Sequence, residues 1–452
     1  MSPSSFETTP VVSVVCNLSL RQWPADFKTL EAQIVSAVQE SGRQLYVAAA
    51  QAFQEHWLAQ RRERWTAVRW RGINQVTPFG SVRVPVRVVR RRLDGCYLTL
   101  SKVLLAPKAT RLLCPWVEKQ ALEAATGANY RPAAAELGRW LRSRISAWLI
   151  WRCVQFHGAK LCEQLSNQWW PDQAAARPAR AAVVVTELDS TYLQAQQRGR
   201  DKAVPAGHFP VHLGVQYTGR KRRYQRPGSR AVTLQDKRWV ASTQSMTLLG
   251  RRVAWQRLRH YGKAAHEVIL SDGDEALERV RETEWPHATW LLDRWHVARA
   301  VRDFVGPDEG EYRRLMQPVW RSDSEALLEA LRHSPLREAR AEQFRILFGY
   351  LLGNREGVDN WHHIPSRLRR SIGRQIAPVR SGSGVIEKNI EVKIARRFKR
   401  QGRSWTRHGS EHLLQLLWLQ ENKLNWTHWW NITALAKTKV NPGWPSSAPP
   451  PN

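Results

Sequence analysis

Three carboxylates stand where phosphoryl chemistry could use them. Asp189 closes the apolar run Ala182-Val-Val-Val-Thr-Glu-Leu-Asp189, which reads as a central strand covered on both faces. Asp272 closes Val268-Ile-Leu-Ser-Asp272, just before Gly273, and Glu387 opens a late helix behind a Ser381-Gly-Ser-Gly384 turn. Carboxylates at the carboxyl ends of parallel strands face a common crevice. Hard divalent cations take oxygen ligands, and two of them about 4 Å apart activate an attacking hydroxyl and stabilise the departing phosphate oxygen. Acids gathered this closely repel one another unless cations neutralise them.

Each acid also has a plainer reading. Asp272 before glycine is a common turn residue, and Glu387 suits the positive end of a helix dipole. Glu391, one turn on, competes with Glu387. Glu187 shares a strand face with Asp189 and is a substitute ligand or a support, while Asp274 competes weakly with Asp272. Cys153, His157 and Cys162 lie in an apolar, Trp-rich helix with no fourth ligand nearby, so core packing is favoured there over zinc.

The acids sit in a strongly basic chain. Of 452 residues, 70 are Lys or Arg and 39 Asp or Glu, a formal charge of +31. Such an excess points to a polyanionic partner, nucleic acid first. Hydrophobic residues at 42% and charged residues at 24% exclude general disorder. No apolar stretch is long enough for a membrane span and no signal pattern opens the chain, so a cytosolic protein is expected. Five scattered cysteines without a CxxC pair suit a reducing compartment.

Stepping along the chain, Phe27, Leu30, Ile34 and Val38 begin an amphipathic helix that runs to about Leu58, with Gly42 a weak point. Val82, Val84, Val86 and Val88 alternate with polar residues and lead into Asp94-Gly95, a hairpin signal. Arg90-Arg91-Arg92 beside it is a solvated edge or a phosphate contact. Two helices then flank a break at Ser143. They are a helix-turn-helix carrying Arg144, Arg152 and Lys160, or two packed core helices; Trp140, Trp148 and Trp151 favour burial. From residue 181 the order is three strands (the third around 231–234), helix, strand, helix, strand, then a long helical stretch and two late helices.

Basic residues concentrate in two further places. One is the hairpin tip Arg220, Lys221, Arg222 and Arg223; the other is the run Lys388, Lys393, Arg396, Arg397, Lys399, Arg400 and Arg403 behind Glu387, with Trp405 beyond it. For the late run the functional reading is phosphate tracking with base stacking and the plain one a solvated face; the hairpin tip is a second candidate DNA grip.

Taken together, Glu187-Leu-Asp189-Ser-Thr-Tyr192, Ser271-Asp272-Gly273, Leu292-Asp293-Arg-Trp-His296-Val297 and Gly382-Ser-Gly-Val-Ile-Glu387 resemble a DDE transposase. The likeness is greatest to the ISLre-type insertion-sequence transposases, relatives of the Mutator-like superfamily, and covers roughly residues 70–422. It implies an α/β chain with an RNase H-like catalytic core and an all-helical insertion, preceded by a helical and β-hairpin N-terminal region. The divisions expected are 1–65 helical, 66–105 hairpin, 106–178 helices and linker, 179–305 first part of the core, 306–378 insertion, 379–425 final core helices and 426–452 tail.

The resemblance further implies that Asp189, Asp272 and Glu387 are catalytic and hold two Mg²⁺ (or Mn²⁺) ions. Asp293 and His296 match an Asp/Cys-x-x-His element of the superfamily, with a positioning role. Ser190 stands where glycine is commoner, a departure that removes no ligand. The expected activity is cleavage and strand transfer at terminal inverted repeats, on double-stranded transposon and target DNA, by a homo-oligomer in a prokaryotic cytoplasm and at the nucleoid when DNA-bound. The rivals are an RNase H-like nuclease or resolvase that only hydrolyses, a domesticated DNA-binding protein without catalysis, and a ribosome-type RNA binder, which leaves the strand-end acids unexplained.

Overall fold

A computed structural model describes residues 26–101, 110, 112–166, 181–196, 207–222, 232–262, 264, 266–364, 385–399 and 404–422. The chain divides into two compact units, with the boundary between Lys160 and Leu161.

In the first unit, α1 (Phe27–Ala59) is capped by Asp26, which accepts from Thr29 N at 2.7 Å. β1 (Trp65–Thr77) and β2 (Gly80–Arg91) form an antiparallel hairpin, and β3 (Tyr97–Thr99) pairs with β2 on its other side. Val82, Val84, Val86 and Val88 are all buried, as their alternation requires. Gln54 of α1 joins helix to sheet. Its amide donates to Pro85 O at 2.9 Å, and its carbonyl accepts from Arg87 N at 2.7 Å. Gly42 is less a weak point than a seat: a Cβ there would lie 2.2 Å from the Phe79 ring.

The Asp94-Gly95 turn joins β2 to β3, with Gly95 at φ +69° and Asp94 accepting from Cys96 N at 3.1 Å. In the longer hairpin, β1–β2, the first strand carries no alternation signal because residues 66–72 of this edge strand are exposed on both faces. Along the arginine run, Arg91 ion-pairs with Asp94 and Arg92 donates to Arg62 O, while Arg90 is exposed.

Three helices follow, α2 (Pro115–Gly127), α3 (Tyr130–Trp140) and α4 (Ala147–Ser166). Here the burial expected of the tryptophans is overturned. Trp140, Trp148 and Trp151 are 58, 53 and 43% exposed. The core face of α4 is instead Ile150, Cys153, Val154 and His157, on the opposite side of the helix from Trp148 and Trp151. His157 Nε2 lies 2.9 Å from the buried Glu118 carboxylate, so this histidine is a packed core residue.

The second unit is built on a five-stranded sheet of order β10-β9-β4-β5-β8. In chain order these are β4 (Val183–Gln194), β5 (His208–Tyr217), β8 (Arg238–Ser242), β9 (His266–Ser271) and β10 (Thr289–Leu292). β4, β5 and β8 pair antiparallel in succession, while β9 and β10 run parallel to β4. β4 is central and buried from Val183 to Leu188, which accounts for its continuous apolar run. The strand expected near 231–234 is β7 (Val232–Gln235). It does not enter this sheet but pairs with β6 (Gly219–Arg222) in a separate two-stranded ribbon. The third sheet strand is β8, hidden to sequence reading by its length of five residues.

Helices α5 (Met246–Tyr261) and α6 (Glu275–Glu284) pack closely where Gly250 admits Val280. Between β10 and residue 364 lie α7 (Arg294–Val305), α8 (Glu309–Arg321), α9 (Ser324–Arg332), α10 (Ala341–Gly353) and α11 (Arg355–His363). The late helix begins as the short α12 (Ile386–Asn389) and widens into a π-helical stretch, Ile390–Lys399, instead of continuing as one α-helix. α13 (Arg407–Glu421) is fastened to β8 by the buried Glu411. Its carboxylate accepts from Thr243 N at 2.6 Å and Ser242 Oγ at 3.1 Å, and pairs with Arg252. Among the described residues no helix is long and apolar enough to cross a membrane.

Candidate active site

The register of β4 and β9 organises the acids. These parallel strands pair Val183 with His266 and, at the last rung, Glu187 with Leu270. Two residues beyond that rung come Asp189, still within β4, and Asp272, the residue that follows the end of β9. Carried on past its last rung, the register brings these two positions level on neighbouring strands. Both are half-buried. Asp189 Oδ1 accepts from Ser190 N at 2.6 Å.

Asp272 serves the turn as well. Its Oδ1 accepts from Asp274 N at 3.1 Å, Gly273 takes φ +83°, and Asp274 caps α6. The Tyr350 hydroxyl donates to Asp272 O at 2.8 Å. Burial first, then the nearby Asp272 and Asp293 carboxylates, holds that phenol well above its ordinary range, so it stays protonated.

Glu187 is fully buried. Its Oε1 accepts the Tyr217 hydroxyl at 2.6 Å and its Oε2 accepts Ile386 N at 3.1 Å. It thus grips the first turn of the helix that carries Glu387, from the strand that carries Asp189. The backbone of Glu387 lies in α12; its side chain falls outside what is described. Glu391 is exposed and pairs with Arg396 at 3.3 Å. Of the two competing acids, Glu187 braces the helix and Glu391 is engaged at the surface.

Asp293 is buried at the start of α7, where it accepts from Trp295 N at 3.0 Å and its N–H donates to Ser271 O at 2.8 Å. These bonds join β10 and α7 to the end of β9. His296 stands one turn on and lines an open groove of about 510 Å³ that Asp272 also lines.

The basic run divides. Lys399 reaches Thr191 Oγ1 on the same face of β4 as Asp189, and Lys393 ion-pairs with Glu421. Arg397 is buried and Lys388 exposed. Arg400, Arg403 and Arg223 lie outside the described residues, as do the side chains of Arg220, Lys221 and Arg222. Trp405, expected to stack on bases, packs its ring on Phe398 at 4.8 Å and donates its indole N–H to Phe398 O at 2.9 Å. Tyr217 and Tyr350 carry no motif of their own that a sequence could show, and neither does His212, whose Nδ1 lies 2.7 Å from Ser190 Oγ.

All the candidate ligands offer hard oxygen donors, which fits Mg²⁺ or Mn²⁺ better than softer metals. Among the described residues there is no group of three or more His, Cys, Asp or Glu placed to hold a metal. The arrangement is a mixed α/β unit with two acids at the ends of adjacent parallel strands and a helix secured beside them. The chain belongs to the uncharacterised protein family UPF0236, whose profile matches residues 21–430. It is similar to "UPF0236 protein in vanSb 3′region" of Streptococcus gallolyticus, 25% identical over 354 residues, which are 76% of this chain and 72% of that protein. Among solved structures it is similar to the Drosophila P element transposase strand transfer complex. The TM-score is 0.23 at 8% identity, covering 68% of this chain and 78% of that one.

Proposed function

We propose that this chain is a transposase of the DDE type, which cleaves DNA at the ends of an insertion sequence and transfers the freed strand. One observation carries the reading: the parallel β4–β9 register, which leads from its last rung at Glu187 and Leu270 to Asp189 and Asp272. The sheet supports it too. Three antiparallel strands followed by two parallel ones, with the first strand central, is the order of an RNase H-like core.

In this reading Asp189, Asp272 and Glu387 would hold two Mg²⁺ (or Mn²⁺) ions, which would supply activation of a water or 3′-hydroxyl and charge neutralisation at the leaving oxygen. The residues themselves bind and orient. Glu187 keeps the Glu387 helix against β4, and Tyr350 steadies the Asp272 turn through its backbone carbonyl. Lys399 places a cation on the Asp189 face, where a phosphate would enter.

DNA is held by basic surfaces. From Leu137 to Cys162 the chain carries Arg139, Arg142, Arg144, Arg152 and Lys160 and no acid. The α3–turn–α4 segment exposes Arg144, Trp148, Trp151 and Arg152 at the start of its second helix, which favours the helix-turn-helix reading. The partners are double-stranded terminal inverted repeats and target DNA, engaged by a homo-oligomer.

The test is a metal-dependent cleavage and strand-transfer assay on terminal inverted repeats, comparing the wild type with Asp189→Ala. Loss of both products in the variant supports the assignment; full activity overturns it. Cleavage without joined products in the wild type would make the protein an RNase H-like nuclease or resolvase instead.

A further inference from the structure

The groove beside Asp272 has a composition that phosphate chemistry alone does not require. It lies between α7 and α10 and measures about 510 Å³, within the usual size of ligand sites. Its floor is apolar, with Phe304 and Leu347 fully buried, and Trp295 and Tyr350 add aromatic surface. Arg299, Asp303 and Gln343 supply hydrogen-bonding groups. Ile346 lines it too, yet is 66% exposed, a large apolar side chain left facing solvent.

His296, one of the lining residues, has a buried Nε2 with no hydrogen-bond partner among the described residues. A buried polar atom left so is costly, and a turn of the imidazole toward a ligand in the groove would remove the cost.

Charge decides which part of a DNA strand fits. Asp272 and Asp303 line the groove against one cation, Arg299, so a phosphate deep in it would meet a net negative lining. A nucleobase is neutral. It stacks on aromatic faces and offers donors and acceptors at its edge, which carboxylate and carboxamide side chains of the Asp303 and Gln343 kind recognise.

We infer that this groove takes one unpaired nucleobase of the DNA strand whose phosphate is presented at Asp272. The inference rests on the proposed DNA chemistry and adds a substrate feature to it: the strand is read with a base out of the stack, next to the reacting phosphodiester. Trp295 and Tyr350 supply the stacking surface, and His296, Asp303 and Gln343 the edge contacts.

The test uses the full-length protein and two short duplexes, one fully paired and one with a single bulged 2-aminopurine. Affinity is read by anisotropy and stacking by 2-aminopurine fluorescence. Wild type should bind the bulged duplex more tightly, by roughly 5- to 100-fold as expected for one stacked base, and quench its fluorescence. Trp295→Ala should lose most of both effects while keeping its affinity for the paired duplex. Ile346→Asp charges the groove at an exposed position and should do the same with an unchanged melting temperature.

Equal binding of the two duplexes by wild type overturns the inference, as does an undiminished preference and quench in Ile346→Asp. Failure to bind either duplex would instead count against the proposed DNA chemistry, so the two failures are distinguishable.

Discussion

The buried carboxylate of Glu187 accepts the backbone N–H of Ile386 at 3.1 Å across 199 residues of sequence. Its other oxygen accepts the Tyr217 hydroxyl at 2.6 Å. One side chain of the central strand therefore sets where the helix of Glu387 begins. The two oxygens of Glu187 serve two donors, and a glutamine has a single carbonyl acceptor for them. Glu187→Gln should lower cleavage about 10- to 100-fold, the usual cost of disturbing a support behind a metal ligand. It should also raise the Mg²⁺ concentration needed for half-maximal rate, while DNA affinity stays unchanged. Tyr217→Phe leaves the Ile386 bond in place and should cost less than the Glu187 change. A titration of rate against Mg²⁺ for both variants checks this; an unshifted metal requirement in Glu187→Gln would remove its positioning role.

The β4–β9 register leads to Asp189 and Asp272 side by side, and two such carboxylates repel in the absence of cations. Added Mg²⁺ should raise the melting temperature in proportion to the logarithm of its concentration above the dissociation constant. Asp272→Asn removes one charge and keeps an acceptor for Asp274 N. It should lose that Mg²⁺-dependent rise and reduce cleavage by about a thousandfold, the scale of several kcal/mol of lost charge stabilisation. Thermal melts with and without Mg²⁺ and with EDTA provide the measurement.

Gly273 follows Asp272 in a backbone conformation, φ +83°, that side chains disfavour. A Cβ there would also lie 2.2 Å from Asn354 Oδ1. Gly273→Ala should destabilise the fold by about 1–3 kcal/mol and reduce activity further than stability alone explains, because the strained residue is next to Asp272. Urea unfolding alongside a cleavage assay separates the two effects.

Arg144 and Arg152 are exposed on the acid-free segment, with the Arg152 guanidinium 5.1 Å from the centre of the Trp148 ring. As phosphate contacts, each replaced by alanine should weaken duplex binding across all sequences. Each should also flatten the slope of log K against log salt by about one. Trp148→Ala should weaken binding without changing that slope. Anisotropy titrations between low and moderate salt test this, and unchanged affinity in Arg144→Ala/Arg152→Ala would remove α4 from the DNA surface.

His157 is buried beside Glu118. Burial pushes its pKa below the ordinary value, outweighing the upward pull of Glu118. Its stabilising contribution is therefore complete above the unfolded value of about 6.5 and is lost as pH falls below it, because the unfolded chain takes up a proton that the folded chain refuses. The melting temperature should decline below that pH, and His157→Gln should flatten the decline.

Much of the candidate site was legible in the sequence because strands announce themselves locally. The Val183–Leu188 run, the short run ending at Asp272 and the turn before Glu387 each show in a few consecutive residues, and the acids could be named from their positions at strand ends. Local pattern is weakest where elements are short or two-sided. β8 has five residues, β1 is exposed on both faces over residues 66–72, and the ribbon strand β7 mimics a sheet strand.

The direction in which a side chain faces is not written in its own neighbourhood. Trp140, Trp148 and Trp151 read as core by composition and lie at the surface, whereas Trp405 read as a stacking platform and packs on Phe398. The roles of the competing acids were of the same kind. Glu187, Asp189 and Glu391 are alike as residues, and burial with its hydrogen bonds distinguishes brace, strand-end acid and surface ion pair.

The sequence by itself thus determined the charge, the mixed α/β order and the acids at the strand ends, since these depend on composition and short-range periodicity. Only the tertiary structure decided that the strands leading to Asp189 and Asp272 are parallel neighbours, that Glu187 holds the helix of Glu387, and that a groove opens beside Asp272. Those are contacts between segments tens to hundreds of residues apart. They are set by strand register and by the pairing demands of buried polar groups, which no local window contains.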